Sequence, residues 1–459
     1  MSSPTEEVWR KLVEFQLCPA NQAELLKDDF KAAVSQMTVP CDTDDARVLC
    51  DWLVEEGEAT PYQTEILLGK STRPLRVGPY QIIDYIEAGR LAGIYRARHH
   101  ELQFPVCLKL VPQTGTADEQ WRRQALFQRE ARVSVQADHP HIVQTYQIGQ
   151  ADGFYFIAFE NLIGQSLMEL IRADSAMATG SFDHIERLWD MSRGHTRPEE
   201  VCRMIREAAL GLAHLHEHEI VHRDVTPRNL WVSEEGHIKV LDFGMARDAM
   251  TFLDAPVTDQ FTSGFNEFLG SVDYLSPEQA LDPDLATHAS DIYGLGCTLY
   301  HALTGRVPYD AKTPSKQMIL HALGRPALPS TLNDAVYSQL DEVCRGMMGT
   351  IPEYRYLSAQ AVAEALEPFI SPDDKLQIQE APTPQLQAFL SWLSTETATA
   401  PARGKSPPAR KSSGEELPQY DLDDDPPSSV EDSVTEMGRL LEAADAADDS
   451  GIGKGKDSP

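Results

Sequence analysis

Two short polar motifs near the middle of the chain constrain its fold more than any other feature. The first, residues 221–229, carries Asp224 and, further along the same loop, Asn229. The second, residues 241–244, contains Asp242 and follows after one predicted strand–turn–strand. This spacing places a carboxylate, an amide and a second carboxylate on two adjacent loops. Hard oxygen ligands of this kind suit Mg²⁺, which takes few protein ligands and shares the rest with phosphate groups.

The composition excludes several classes of function. Acidic residues outnumber basic ones 71 to 40, a formal net charge of −31, which argues against binding nucleic acid or anionic lipid through a basic face. No uncharged apolar run approaches the roughly 18 residues that a membrane span needs. Seven widely spaced cysteines without a C-x-x-C pair favour reduced thiols. We therefore expect a cytoplasmic protein with no nucleic-acid partner and no membrane span.

The first 78 residues form a predicted helical accessory module. Apolar residues recur at helical spacing, and Thr60, Pro61 and Gln63 predict a capped helix start. From Tyr80 the apolar pattern changes to that of strands. Three β-prone runs, separated by turn residues, predict an antiparallel meander: Tyr80–Glu87, Leu91–Arg98 and Phe104–Val111.

The rest of the chain is predicted to be mostly helical and then disordered. Short strands are expected near residues 142–148, 154–159, 230–232 and 238–241. Residues 371–459 are rich in proline, serine and acidic residues, which predicts a mostly disordered tail because such a segment buries too little apolar surface. The exception is Leu386–Leu393, which we expect to dock as a short helix.

The two central motifs resemble the catalytic loop and the magnesium-binding loop of protein kinases. Residues 106–109 are similar to the strand whose final lysine, here Lys109, holds the α- and β-phosphates, and Glu130 stands where its ion-pair partner belongs. The resemblance covers about residues 80–370. It implies an α+β, bilobal fold with a small antiparallel β-sheet lobe (79–162) and a large, mainly helical lobe (163–370).

Later motifs extend the same resemblance. Residues 276–278 are similar to the motif that closes the activation segment, and Arg355 falls where the buried partner of Glu278 is expected. Asp291 opens an apolar stretch that resembles the core helix of the large lobe. An insertion at about residues 173–196 departs from a minimal kinase.

The resemblance implies a role for each motif residue. Asp224 is the residue that accepts the proton of the substrate hydroxyl, while Asn229 and Asp242 hold Mg²⁺. Thr226 occupies a position where serine/threonine kinases usually carry a lysine, and Arg228 is our candidate for supplying that charge. Contacts to ATP are assigned to Gly89, Ile94, Lys109, Glu160, Leu162 and Trp231.

Several departures from the family pattern leave an alternative open. Glu87 and Ala92 replace two glycines of the glycine-rich loop, which predicts a less close approach of the backbone to the phosphates. Trp231 stands at the expected floor of the adenine site, where a smaller aliphatic residue is commoner. With Thr226, these departures suggest a pseudokinase scaffold with weak or no catalysis. A small-molecule phosphotransferase is a third reading, disfavoured by the complete activation segment.

Substrate and regulation are indicated by fewer residues. Ser271 stands where serine/threonine kinases place a threonine that bonds the catalytic aspartate, which favours serine and threonine as acceptors. Thr262 and Ser263 are candidate phosphorylation sites in the activation segment, and the alternative is that neither is phosphorylated. Because the chain is strongly acidic, protein substrates are expected to be basic around the accepting hydroxyl.

The sequence before the kinase-like region adds one further resemblance. Residues 51–70 resemble a short helical module that precedes the kinase domain in planctomycete-type bacterial serine/threonine kinases. The partner of this module is unknown. We therefore expect an ATP-dependent serine/threonine protein kinase that autophosphorylates and acts in bacterial signalling.

Overall fold

Helices occupy the N-terminal region and most of the second half of the chain. The structure is a computed structural model that describes residues 3–36, 44–88, 93–172, 189–190, 195–243, 246, 272–371 and 383–399. Its α-helices are α1 (Pro4–Glu14), α2 (Ala20–Gln36), α3 (Ala46–Glu55), α4 (Pro61–Leu67), α5 (Ala117–Gln136), α6 (Leu167–Arg172), α7 (Pro198–Glu217), α8 (Pro277–Leu281), α9 (His288–Thr304), α10 (Pro314–Leu323), α11 (Pro329–Leu332), α12 (Ser338–Met347), α13 (Ala359–Leu366) and α14 (Pro384–Thr399). Short 3₁₀ turns lie at Val272–Tyr274, Pro283–Leu285, Pro352–Tyr354 and Glu367–Phe369.

One antiparallel sheet forms the framework of the small lobe, in the order β1-β2-β3-β4-β6-β5. Its strands are β1 (Arg76–Val77), β2 (Tyr80–Ala88), β3 (Gly93–His99), β4 (Pro105–Pro112), β5 (Thr145–Ala151) and β6 (Phe154–Glu160). The neighbours β2, β3 and β4 pair antiparallel, so the predicted meander is confirmed. The strand expected near residue 142 begins instead at Thr145, because Ile142 forms an isolated parallel bridge to Val240.

Helix α5 covers one face of this sheet. Thr116 and Glu119 form a capping box that satisfies the first backbone N–H groups of the helix. Phe127 and Ala131 of α5 then pack in one buried cluster with Ile157 of β6. This packing carries Glu130, which lies on the same helix, toward the strand that bears Lys109.

The large lobe is assembled around two long helices, α7 and α9. Apolar residues of α7 recur at helical spacing, and its inward face, which includes Val201, Ile205 and Leu212, is buried. Helix α9 is buried along nearly its whole length, which fits a helix surrounded by others. The small strands of this lobe are β7 (Gly164–Ser166), β8 (Trp189–Asp190), β9 (His195–Thr196), β10 (Leu230–Ser233) and β11 (Ile238–Val240).

The N-terminal helices share a hydrophobic core with the small lobe. Leu12 of α1, Leu53 of α3 and Leu67 of α4 are almost completely buried, in one cluster with Tyr80 and Ile82 of β2. The predicted helix start at Thr60 is confirmed, since Thr60 and Gln63 form a complete capping box. The N-terminal helices therefore pack directly on the strand that leads into the glycine-rich loop.

Helix α14 follows the large lobe in sequence but packs on the small lobe. The ring of Phe389 is fully buried and stacks on Phe104 at 4.4 Å between ring centroids. Trp392 lies against His99 at 4.2 Å. The short helix predicted within Leu386–Leu393 is thus confirmed, and it continues to Thr399. The α+β fold class, with a curled antiparallel sheet and a mainly helical lobe, is confirmed as well.

Candidate active site

The loop that carries Asp224 is held from below by Asp291, at the start of α9. The Asp291 carboxylate is buried and accepts backbone N–H bonds from His222 at 2.8 Å and Arg223 at 2.7 Å. It also bonds the Nε2 atom of His216 at 2.9 Å. Burial alone would raise the pKa of Asp291, but the bonds from His216 and the backbone hold that pKa below its usual range. A charged carboxylate in the core therefore fixes the path of the loop.

Two residues beside the cleft have left-handed backbone conformations. Arg223 has φ +71° and Asp242 has φ +59°, a region that costs a residue with a side chain about 1–2 kcal/mol. The Arg223 backbone is held on both sides, by Asp291 at its N–H and by the Gln279 amide, which donates to its carbonyl at 3.0 Å. These bonds give the following residue, Asp224, a fixed direction.

Asp224 and Asn229 are joined within the loop. The Asn229 Nδ2 atom donates to the Asp224 carbonyl at 2.8 Å and to the Asp224 Oδ2 atom at 3.0 Å. The Asn229 carbonyl accepts the Leu241 N–H at 2.8 Å, which ties this loop to the residue before Asp242. Since the amide nitrogen of Asn229 is engaged, its Oδ1 atom is the one available to a cation. With the half-exposed carboxylate of Asp242, this donor set fits Mg²⁺.

Lys109 connects the two lobes. Its Nζ atom lies 2.6 Å from Glu130 Oε1 of α5 and 3.0 Å from Asp242 Oδ1. Burial would lower the pKa of Lys109, but the charges of Asp242 and Glu130 outweigh that effect and raise the pKa. The ammonium group therefore stays charged, and the structure brings Lys109 together with Glu130, 21 positions away, and with Asp242, 133 positions away.

The predicted nucleotide contacts lie on both sides of the cleft. Ile94 is opposite Lys109 in the β3–β4 pair, and Trp231 of β10 is opposite Ser166 of β7. The Glu160 carboxylate accepts a hydrogen bond from Lys239 Nζ at 2.8 Å. Leu162 packs against the core of the large lobe.

Gly164 is required where β7 pairs with β10. Its φ is +145°, and a Cβ atom there would lie 2.0 Å from the Val232 carbonyl oxygen and 2.9 Å from the Trp231 indole nitrogen. Only glycine permits this approach. The close contact places the indole of Trp231 against Gly164, the first residue of β7.

For the remaining predicted site residues the structure gives either exposure alone or no description. Arg228 is exposed on the catalytic loop, whereas Thr226 is buried. Gly89 lies outside the described residues, as do Thr262, Ser263 and Ser271.

A buried ion pair anchors the end of the activation segment. Arg355 donates to both carboxylate oxygens of Glu278 at 2.7 Å, and Ser290 donates to Glu278 at 2.6 Å. Burial would raise the pKa of Glu278, but the Arg355 bonds hold it below its usual range. Gln279, the next residue, is the contact to Arg223 that sequence reasoning missed. The capping box that it forms with Ser276 was a signal that it begins a helix, but not that its amide reaches the catalytic loop.

The small lobe contributes the pair of Lys109 and Glu130, and the large lobe contributes Asp224, Asn229 and Asp242. Together they define a phosphotransferase site of the protein kinase type. A family model described as "Protein kinase domain" matches residues 80–367, and the chain belongs to the protein kinase family.

Several curated bacterial proteins are similar to this chain. Serine/threonine-protein kinase PrkC of Bacillus subtilis is 32% identical over 283 residues, 62% of this chain and 39% of that protein. PknB of Mycobacterium leprae is 28% identical over 293 residues, 63% and 42% of the two chains. PknB of Mycobacterium tuberculosis is 26% identical over 366 residues, 79% and 52%. The chain thus spans from 39% to 52% of the length of these relatives. Within the described ranges, no helix has the length and apolar character needed to cross a membrane.

Proposed function

We propose that this protein is an ATP-dependent serine/threonine protein kinase. The observation that carries the proposal is the joint arrangement of Lys109 with Glu130 and Asp242, and of Asp224 with Asn229. The names of the bacterial relatives, all serine/threonine-protein kinases, support the choice of acceptor.

Each residue of the site has a chemical task in this proposal. Lys109, kept charged by Glu130 and Asp242, orients the α- and β-phosphates of ATP. Asn229 Oδ1 and the Asp242 carboxylate hold Mg²⁺, which neutralises phosphate charge when it is bound. The bond from Asn229 orients the Asp224 carboxylate, which accepts the proton of the attacking substrate hydroxyl.

Adenine lies between the lobes in this proposal. Ile94 and the glycine-rich loop at Gly89 cover it, Trp231 forms its floor, and the backbone of Glu160 and Leu162 bonds its edge. Arg228, exposed on the same loop as Asp224, supplies the positive charge for the γ-phosphate that buried Thr226 lacks.

Protein substrates are proposed to be basic around the hydroxyl, because a net charge of −31 attracts cationic partners. We also propose autophosphorylation, a role in bacterial signalling and a cytoplasmic location. Among the described cysteines, all six are buried free thiols, which suits a reducing compartment.

The decisive experiment incubates the full chain with labelled ATP, Mg²⁺ and a mixture of serine, threonine and tyrosine peptides. We expect phosphoserine and phosphothreonine, with turnover reduced about 10²–10⁴-fold by Asp224→Ala. Asp51→Ala, an exposed aspartate on α3, is the matched control and should retain full turnover.

The other outcomes separate the alternatives. Phosphotyrosine alone would overturn the acceptor class, and an Asp224→Ala protein as active as wild type would overturn the assigned proton acceptor. Labelling of small-molecule alcohols added to the same mixture, without peptide or protein labelling, would indicate a small-molecule phosphotransferase. A folded wild-type protein with no turnover would favour the pseudokinase scaffold.

A further inference from the structure

The edge of strand β2 is only partly paired with another strand. On that edge β1 pairs through Arg76 with Gln81 and through Val77 with Tyr80, and the Ile82 N–H reaches the Leu75 carbonyl at 2.9 Å. The ladder ends there. Beyond this point β2 continues toward the glycine-rich loop, so the backbone groups of its next residues need partners from elsewhere.

A β-bulge at the same place turns one extra carbonyl outward. In the pairing of β2 with β3, Ile82 lies opposite Ala97 and Asp84 opposite Arg96, so Ile83 is skipped. A bulged residue is left out of the ladder and bends the strand locally. The carbonyl oxygens of Ile82 and Ile83 are thus both candidates for bonds outside the sheet.

The capping box of helix α4 supplies these bonds. Gln63 Nε2 donates to the Ile82 carbonyl at 2.8 Å, and Thr60 Oγ1 donates to the Ile83 carbonyl at 2.5 Å. The same two side chains cap the helix, since Gln63 Oε1 accepts the Thr60 N–H and Thr60 Oγ1 accepts the Gln63 N–H. Gln63 is 3% exposed, so its bond to the Ile82 carbonyl is shielded from water. Each side chain therefore holds a helix end and a strand edge together.

Aromatic contacts join the same helix to strand β3. Tyr62 of α4 lies edge-on to Tyr95 of β3 at 6.1 Å, and Tyr95 contacts Tyr85 of β2 at 5.2 Å. The Arg73 guanidinium lies 3.7 Å from the centre of the Tyr85 ring. The Tyr95 ring also fills the space beside Gly93, where a Cβ atom would lie 2.6 Å from it. Helix α4 and the segment after it thus contact both strands that flank the glycine-rich loop.

We propose that Thr60 and Gln63 are positioning residues for nucleotide binding, through which the N-terminal helices hold β2 in the register that the glycine-rich loop requires. This inference rests on the proposed kinase function. Neither side chain is placed at the nucleotide. They act through the Ile82 and Ile83 carbonyls, which precede the loop on the same strand. The N-terminal helices then contribute to nucleotide binding by the small lobe.

The test compares variants that remove the strand bond with variants that remove only a helix cap. Thr60→Val keeps the shape of the side chain but loses the hydroxyl, while Thr60→Ser keeps the hydroxyl. Asp45→Ala removes the N-cap of α3, where Asp45 accepts the Arg47 N–H, without touching β2. Each full-length protein is assayed for KM for ATP, for kcat, for thermal stability and for hydrogen exchange in residues 80–88.

We expect Thr60→Val to raise KM for ATP about two- to tenfold, the effect of one net hydrogen bond, with kcat within about twofold of wild type. Exchange in residues 80–88 should accelerate. Thr60→Ser and Asp45→Ala should keep the wild-type KM, even where Asp45→Ala lowers the melting temperature as much as Thr60→Val does.

Two results would overturn the inference. One is an equal KM for Thr60→Val and Asp45→Ala; the other is a Thr60→Ser protein as impaired as Thr60→Val. If the wild type transfers no phosphate, the proposed kinase function fails. Hydrogen exchange alone then tests whether Thr60 positions β2. In that case unchanged exchange in residues 80–88 of Thr60→Val refutes the positioning role, and faster exchange supports it.

Discussion

The buried pair of Glu278 and Arg355 offers a quantitative test of the large lobe. The Glu278→Gln substitution keeps the shape of the side chain but removes the charge that compensates a guanidinium with no exposed surface. Removing one partner of a buried ion pair costs about 3–5 kcal/mol. Arg355 keeps bonds to the Gly349 and Ala289 carbonyls, each 2.7 Å long, which places the expected loss near the lower end, at about 3 kcal/mol. That is a large part of a total stability of about 5–15 kcal/mol.

The assay is urea unfolding of Glu278→Gln, Arg355→Met and the double variant, followed by tryptophan fluorescence. We expect the double variant to lose less free energy of unfolding than the sum of the single variants, by about 1.5 kcal/mol or more, because neither charge is then left alone. The melting temperature of Glu278→Gln should fall by about 6–12 °C. Losses that add within about 0.5 kcal/mol, or a Glu278→Gln loss below about 1 kcal/mol, would refute the reasoning.

Two further predictions concern Phe389 of helix α14 and the buried carboxylate of Asp291. Phe389→Ala should lower the unfolding free energy in urea by about 3–5 kcal/mol, or by the whole docking energy of α14 if that is smaller. The half-exposed neighbour Leu390 is the control, and a Leu390→Ala loss as large as that of Phe389→Ala would contradict the packing. Asp291→Asn should cost about 2–3 kcal/mol at neutral pH through weakened bonds to His222 and Arg223. Because the folded pKa of Asp291 is depressed, its contribution is complete above the unfolded value of about 3.9 and is lost as pH falls through the folded value. The stability gap between wild type and Asp291→Asn should therefore narrow below about pH 4, and a constant gap in denaturation at pH 3–7 would contradict this.

Local features of the fold were predictable from the sequence. The capping box at Thr60 and Gln63 depends on residues within one helical turn, and the pattern of β2, β3 and β4 depends on alternation along each strand. Both predictions are confirmed. The strand expected from Ile142 was wrong at its start, because Ile142 instead pairs with Val240 far along the chain. Such a pairing leaves no local pattern.

In the candidate site, too, some contacts between distant residues could be predicted from the sequence and others could not. The order of the motifs predicted that Lys109 would pair with Glu130, although no local signal places the two together. The contact of Lys109 with Asp242 was not predicted. The contact of Gln279 with the Arg223 carbonyl was not predicted, since it depends on how the activation segment ends against the loop. The docking of α14 on the small lobe could not be predicted from the sequence either. Its apolar residues indicated a helix, but not which surface would cover Phe389.

Helix α14 has a consequence for how the two lobes are linked. It is attached to the large lobe through residues 372–382, yet its aromatic side chains bind the small lobe at Phe104 and His99. Attachment makes this an intramolecular contact, for which a short connection gives an effective concentration of about millimolar. Weak intrinsic affinity is then enough for occupancy. A single proteolytic cut within 372–382 would turn the same contact into a bimolecular one, and the dilution would release the helix without altering any residue that touches it.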